Sequence, residues 1–167
     1  MSVASNSVNF SHVDHAALRS LLGSRCYGKA GLAIDATPAD VETTAAVDYS
    51  IDGVMYSLGI TAAIDLSATP VINEAGATVA MTAQAKDTDR VYLLVVNAAG
   101  TIKVVQGTAV ATGATCPCPT CPEGYAPFGA VKVANGTEDD FTFGTTSLAT
   151  VGITDTYFDL SMAPATL

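Results

Sequence analysis

Apolar and polar positions alternate along most of this chain in short runs, with turn residues roughly every 8–12 positions, as in proteins built from β-strands. The strongest run is VYLLVV, residues 91–96. It contains only one polar group, the tyrosine hydroxyl, so it predicts a strand buried on both faces in the middle of a sheet. An Asn-Ala-Ala-Gly turn joins it to residues 102–106, where Lys103 and Gln106 predict a half-exposed partner strand. Asn97 and Gly100 tolerate the positive φ of a tight turn. Asp52-Gly53, between runs at 41–51 and 54–60, is a second hairpin signal. Tyr49, Ile51 and Met55 are its expected buried face. Further strands are expected at 62–66 and 71–72 as edge pieces, and at 78–85, 128–133, 141–143 and 156–160, with polar turns at 86–90 and 135–140. About eight to ten such strands predict a mainly β protein, an antiparallel β-sandwich or partly closed barrel.

Two segments break the pattern. Residues 111–124, ATGATCPCPTCPEG, hold three Pro and two Gly and predict an extended loop across the domain. Near the start, Ser11 offers an N-cap with Asp14 three residues on. Val13, Ala17 and Leu21, with Leu18 and Leu22 beside them, recur at helical spacing, and Gly23 can close the helix. A short amphipathic helix over 11–22 is therefore expected. Three turns are marginal in water alone, so its apolar face needs a partner. Val13, Leu18, Leu21 and Leu22 are the candidate interaction residues. Residues 23–40 look irregular, and 162–167 look like a tail. The chain divides into an arm, residues 1–35, and a β domain, residues 36–167, with the Cys/Pro loop inside it.

Composition narrows the function classes. Of the 167 residues, 49% are hydrophobic but only 7% aromatic, so the core is made of small side chains. Charged residues are 14%, against about 25% in an average globular chain. A surface so poor in charge suits a protein whose neighbours cover it in an assembly. The balance is acidic, 16 Asp and Glu against 7 Lys and Arg, a net −9. That disfavours nucleic acid, whose phosphates need clustered cations, and equally an anionic membrane surface. The polar start carries no secretory pattern, and no apolar run reaches the ~20 residues of a membrane span. Synthesis and folding in a cytoplasm, with reduced thiols, is the expectation.

Candidate chemistry is sparse. Cys116, Cys118 and Cys121 form a Cys-Pro-Cys-Pro-Thr-Cys cluster, with Cys26 far upstream. Four thiolates could hold zinc, but the spacing lacks the two separated Cys-x-x-Cys pairs of a zinc ribbon. Plain loop thiols, disulfides formed in an oxidising medium and a metal site all remain open. His12 and His15 lie on the expected helix without a further ligand at helical spacing. Asp87 and Asp89, and Glu138, Asp139 and Asp140, match no calcium loop and read as solvated turns. There is no Gly-x-Ser-x-Gly elbow, no nucleophile–base–orienter set and no phosphate-binding glycine motif. No cofactor and no enzymatic activity are expected.

Several strings resemble small, Ala/Thr/Gly-rich structural proteins of tailed-bacteriophage virions. They are VYLLVVNAAGTIKVVQ at 91–106, APFGAVKV at 126–133, FTFGTTSLATVGITDTYFDL at 141–160 and the hairpin DYSIDGVMY at 48–56. The Cys/Pro loop departs from that pattern. The resemblance implies a non-enzymatic virion component, most directly a capsid decoration or cement protein that stabilises a phage head. Its implied partners are copies of itself, as a cyclic homo-oligomer such as a trimer, and the major capsid protein. The implied location is the virion, after synthesis in the host cytoplasm. Two alternatives go with it: a fibre or tail-associated host-binding module, with Tyr125, Phe128 and Phe141 at a sugar site, and a β subunit that polymerises into a tube or filament.

Overall fold

A computed structural model describes residues 23–137 and 139–160. The expected helix, its four interaction residues, both histidines, Glu138 and the tail lie outside these residues. Within them the chain is mainly β. Eleven strands run in order: β1 (Arg25–Cys26), β2 (Leu32–Ile34), β3 (Val41–Thr43), β4 (Val47–Ile51), β5 (Val54–Leu58), β6 (Val71–Ile72), β7 (Thr88–Asn97), β8 (Ile102–Gln106), β9 (Val110–Ala111), β10 (Tyr125–Asn135) and β11 (Ile153–Asp159).

The six-stranded sheet is ordered β11-β10-β7-β8-β6, with β9 also pairing with β7. Its centre is the apolar run expected there. Val91 to Val96 are all fully buried, and successive side chains point to opposite faces. Tyr92, Leu94 and Val96 enter one core, and Val91, Leu93 and Val95 enter another. The β7–β8 turn is held by Asn97, whose Oδ1 accepts from the amides of Ala99 and Thr101 at 3.0 and 2.9 Å. The left-handed residue of this turn is Gly100, at φ +76°.

The first core lies between this sheet and two smaller ones, β1-β4-β5 and β2-β3. Asp52 and Gly53 both have positive φ, 50° and 82°, as the two-residue hairpin between β4 and β5 requires. Tyr49 and Ile51 face the core as expected, but Met55 does not. It is 57% exposed, because β5 is the outermost strand and Met55 lies on its outer face. The packed β structure reaches back to Arg25, where an irregular stretch was expected. Strands of two and three residues are too short to show a period, and β1 and β2 exist because β4 and β3 pair with them.

Among the described residues no sheet lies over the second core. Cys116 and Cys118 from the Cys/Pro loop, with Leu160, cover Val91, Leu93, Val95, Val105 and Ala130. The loop is thus the layer that a strand buried on both faces demands. Prolines suit this role: a segment with few free amides leaves few donors unpaired when it lies on an apolar surface.

Two further departures have local causes. In β10 the register shifts between Pro127 and Gly129, leaving Phe128 as an extra residue. This bulge lets Ala126 and Val131, an odd number of residues apart, both face the first core. It also accommodates a proline in an inner strand. Residues 78–85, expected as a strand, form only single bridges, Ile72↔Thr78 and Gln84↔Phe141. Side chains hold the segment instead. Arg90 donates to the Thr82 carbonyl at 2.7 Å, and Gln106 accepts from the Thr82 amide at 2.9 Å.

Candidate functional site

The four cysteines are free thiols placed as core residues. Cys26 belongs to the first core, Cys116 and Cys118 to the second, and Cys121 lies half-buried at its margin. Burial pushes the Cys26 thiol up to about 12. Burial does the same to Cys118, at about 11, and Cys121, at about 12, with neighbouring thiols adding like-charge repulsion. Cys116 is also raised, chiefly by burial. A thiol held protonated is a poor nucleophile and a poor metal ligand. Cys121 acts as a weak donor to the Tyr125 carbonyl at 3.5 Å. Among the described residues, no three His, Cys, Asp or Glu side chains are grouped to hold a metal ion.

The acidic candidates separate as well. Asp87 is an exposed turn residue with φ 56°. Asp89 is buried, 4% exposed, and pairs with Lys132 Nζ at 3.5 Å on the neighbouring strand. Asp139 contributes its carbonyl to Asn135 and Thr137. Nearby is a buried polar cluster that spacing did not reveal. The Gln84 amide donates to the Thr88 and Val133 carbonyls at 2.7 and 2.9 Å and accepts from the Tyr92 hydroxyl at 3.2 Å. Asn135 donates to the Gln84 carbonyl at 3.0 Å. Every member of this cluster is engaged with protein, so it pins the 78–85 segment to the sheet and presents nothing to a substrate.

A cleft of about 410 Å³ lies between the end of β5 and the β7–β8 turn, lined by Leu58, Thr61, Ile64, Asp65, Pro70 and Ile102 among others. Among the described residues Asp65 is the only ionisable side chain in its wall. It accepts from Ser67 Oγ at 2.7 Å and from the Ser67 and Ala68 amides, both at 3.0 Å. These bonds, Ser67 Oγ first, hold its carboxyl below the usual range. It is a turn-forming group with no base or nucleophile beside it.

The aromatic trio expected for a sugar site is not assembled. Phe128 and Phe141 are fully buried in the first core. Tyr125 is half-buried, with the Lys103 ammonium 5.5 Å from its ring centre.

The surface feature that does stand out is β5. Six large apolar side chains are exposed among the described residues: Tyr27, Val54, Met55, Ile60, Val79 and Val151. Three of them fall within residues 54–60, and Tyr27 directly follows β1 of the same sheet. Val54 is 54% exposed and Ile60 is 64% exposed. β5 ends its sheet, so among the described residues one side of its backbone is open. The sequence signal was available: residues 53–64, GVMYSLGITAAI, contain no charge at all in a chain of net −9.

No family model, curated protein or solved structure matches the chain.

Proposed function

We propose that this chain is a non-enzymatic structural component of a virion, a capsid decoration or cement protein acting through contacts between its own copies and with the major capsid protein. The observation that carries the reading is the uncharged, apolar β5 margin on an otherwise acidic domain. Free proteins protect such strand margins with Lys, Pro or a bulge, and this one has none of these. The remainder of the molecule supports the same reading. Among the described residues its thiols are interior packing groups, the buried Gln84–Tyr92–Asn135 cluster is engaged with protein, and the cleft contains no reactive pair. The resemblance of residues 48–56, 91–106, 126–133 and 141–160 to phage virion proteins supplies the particle.

Location is the test. Antibody-labelled electron microscopy of purified particles places the protein on the head surface if it is a cement protein. Labelling of the tail tip supports the host-binding alternative. A protein that never sediments with particles overturns the proposal.

A further inference from the structure

We infer that two copies of this chain join through β5, pairing antiparallel about a two-fold axis at Tyr56 to make one continuous six-stranded sheet, β1-β4-β5 followed by β5-β4-β1 of the second copy. The inference rests on the homo-oligomer reading above and names its surface.

The hydrogen-bond pattern fixes which groups are free. Ile51 and Val54 flank a two-residue turn and form a hydrogen-bonded pair, so the pairs Tyr49↔Tyr56 and Val47↔Leu58 are hydrogen-bonded too. Met55 and Ser57 therefore aim their N–H and C=O groups away from β4. Among the described residues those groups have no partner. What they accept is another extended strand.

One register uses all of them. If Tyr56 sits opposite its own copy, Met55 faces Ser57 of the partner and Ser57 faces the partner's Met55. Each pair exchanges two backbone bonds, four in all, and the five residues of β5 overlap completely. The side chains agree. Val54, Tyr56 and Leu58 share the inner face of β5, so Val54 meets the partner's Leu58 and the two Tyr56 rings meet across the axis. Tyr56 already stacks on Tyr49, with ring centres 5.5 Å apart, so the aromatic pair of each copy extends into the other. This explains why Val54, on the core-facing side of its strand, is more than half exposed in a single chain.

Charge selects the occupant. Two molecules of net −9 repel each other over most of their surfaces. Residues 53–64 contain no charged group, so this margin is where a second copy approaches at least cost. A basic partner would instead seek the acidic faces. A two-fold contact of this kind builds assemblies with an even number of copies, so trimers joined through it associate in pairs.

Sedimentation velocity of the full chain over a concentration series tests the inference, with Met55→Pro and Met55→Lys as variants. Residue 55 donates nothing inside its own sheet, so proline there removes an outward donor and no internal bond. Lys keeps the backbone and adds charge at the margin. Wild type is expected to form an even-numbered species, and both variants are expected to weaken self-association at least ten-fold with an unchanged circular dichroism spectrum. Tyr56→Cys adds a positional test. Cα atoms directly opposite in a non-hydrogen-bonded pair lie about 4.5 Å apart, within disulfide reach, so mild oxidation links this variant to its own copy. Oligomers of unchanged size in both Met55 variants, or no cross-linked Tyr56→Cys dimer, overturn the β5 contact while leaving the homo-oligomer reading intact. A wild type that is monomeric at every concentration, as when residues 1–22 of the same chain cover β5, overturns both.

Discussion

At the residue scale the thiols are the most informative groups, because their protonation reports their surroundings. Cys26, Cys118 and Cys121 keep their protons to about 12, 11 and 12, whereas an ordinary thiol ionises at 9.0. A folded pKa raised above the unfolded one gives stability that is complete below about pH 9. It is lost as the pH climbs toward 11–12, because the unfolded chain releases protons that the folded chain retains. Each such group lowers stability by about 1.4 kcal/mol per pH unit in that window. Thermal melts should therefore hold steady from pH 6 to 8 and fall steeply above pH 9. An Ellman titration at pH 8 should find few reactive thiols in the native protein and four in guanidinium. The Asp89–Lys132 pair gives a second expectation. Lys132→Met leaves the Asp89 carboxylate buried without its cation and should cost about 3 kcal/mol in urea denaturation. Replacing both residues by apolar ones of similar size should recover most of that loss.

At the element scale the decisive piece is the Cys/Pro loop, which does the work of a missing sheet. Cys116→Ala opens only a small gap and should cost about 1 kcal/mol. Cys116→Asp puts a carboxylate into the apolar layer beside Asp89 and should expose that face, seen as dye binding by the apolar probe ANS. The loop also shows how far the sequence could be read. The uninterrupted run at 91–96 revealed that both faces of β7 are covered, and the Pro content revealed a loop at 111–124. Nothing in the sequence joined the two facts, since the contact between them is made in space, across the sheet. The hairpins at 52–53 and 97–100 were legible because turn chemistry is local. Met55 was misplaced because alternation tells which residues share a face without telling which strand is outermost. The 78–85 run alternates like a strand, yet Arg90, Asn135 and Gln106 side chains occupy backbone groups that a neighbouring strand would use. The candidate surface at 53–64 was visible only as an absence of charge, and became a site once β5 proved to be the last strand of its sheet.

At the scale of the whole molecule, the described chain begins at the β1-β4-β5 sheet. The Gly23 carbonyl accepts a hydrogen bond from Ser50 Oγ at 3.1 Å, and Ser50 lies beneath the Tyr27 hydroxyl. Both cores, as described, are built from residues 26–160. A protein truncated to remove residues 1–22 should melt within a few degrees of the full chain. If the Val13, Leu18, Leu21 and Leu22 stripe is the anchor to the shell, it should also lose particle occupancy in a co-sedimentation assay. Full occupancy by the truncated protein would rule that stripe out as the anchor.

The double cover over β7 has a kinetic corollary. Between β10 and β8, beneath one layer of sheets and above a proline-stiffened strap, the amides of Leu93 to Val95 have no local route to solvent. In heavy water they should trade hydrogen for deuterium only when the entire molecule opens, at a rate that tracks global stability. The side-chain-tethered stretch at 78–85 should exchange long before, as the first part of the domain to loosen.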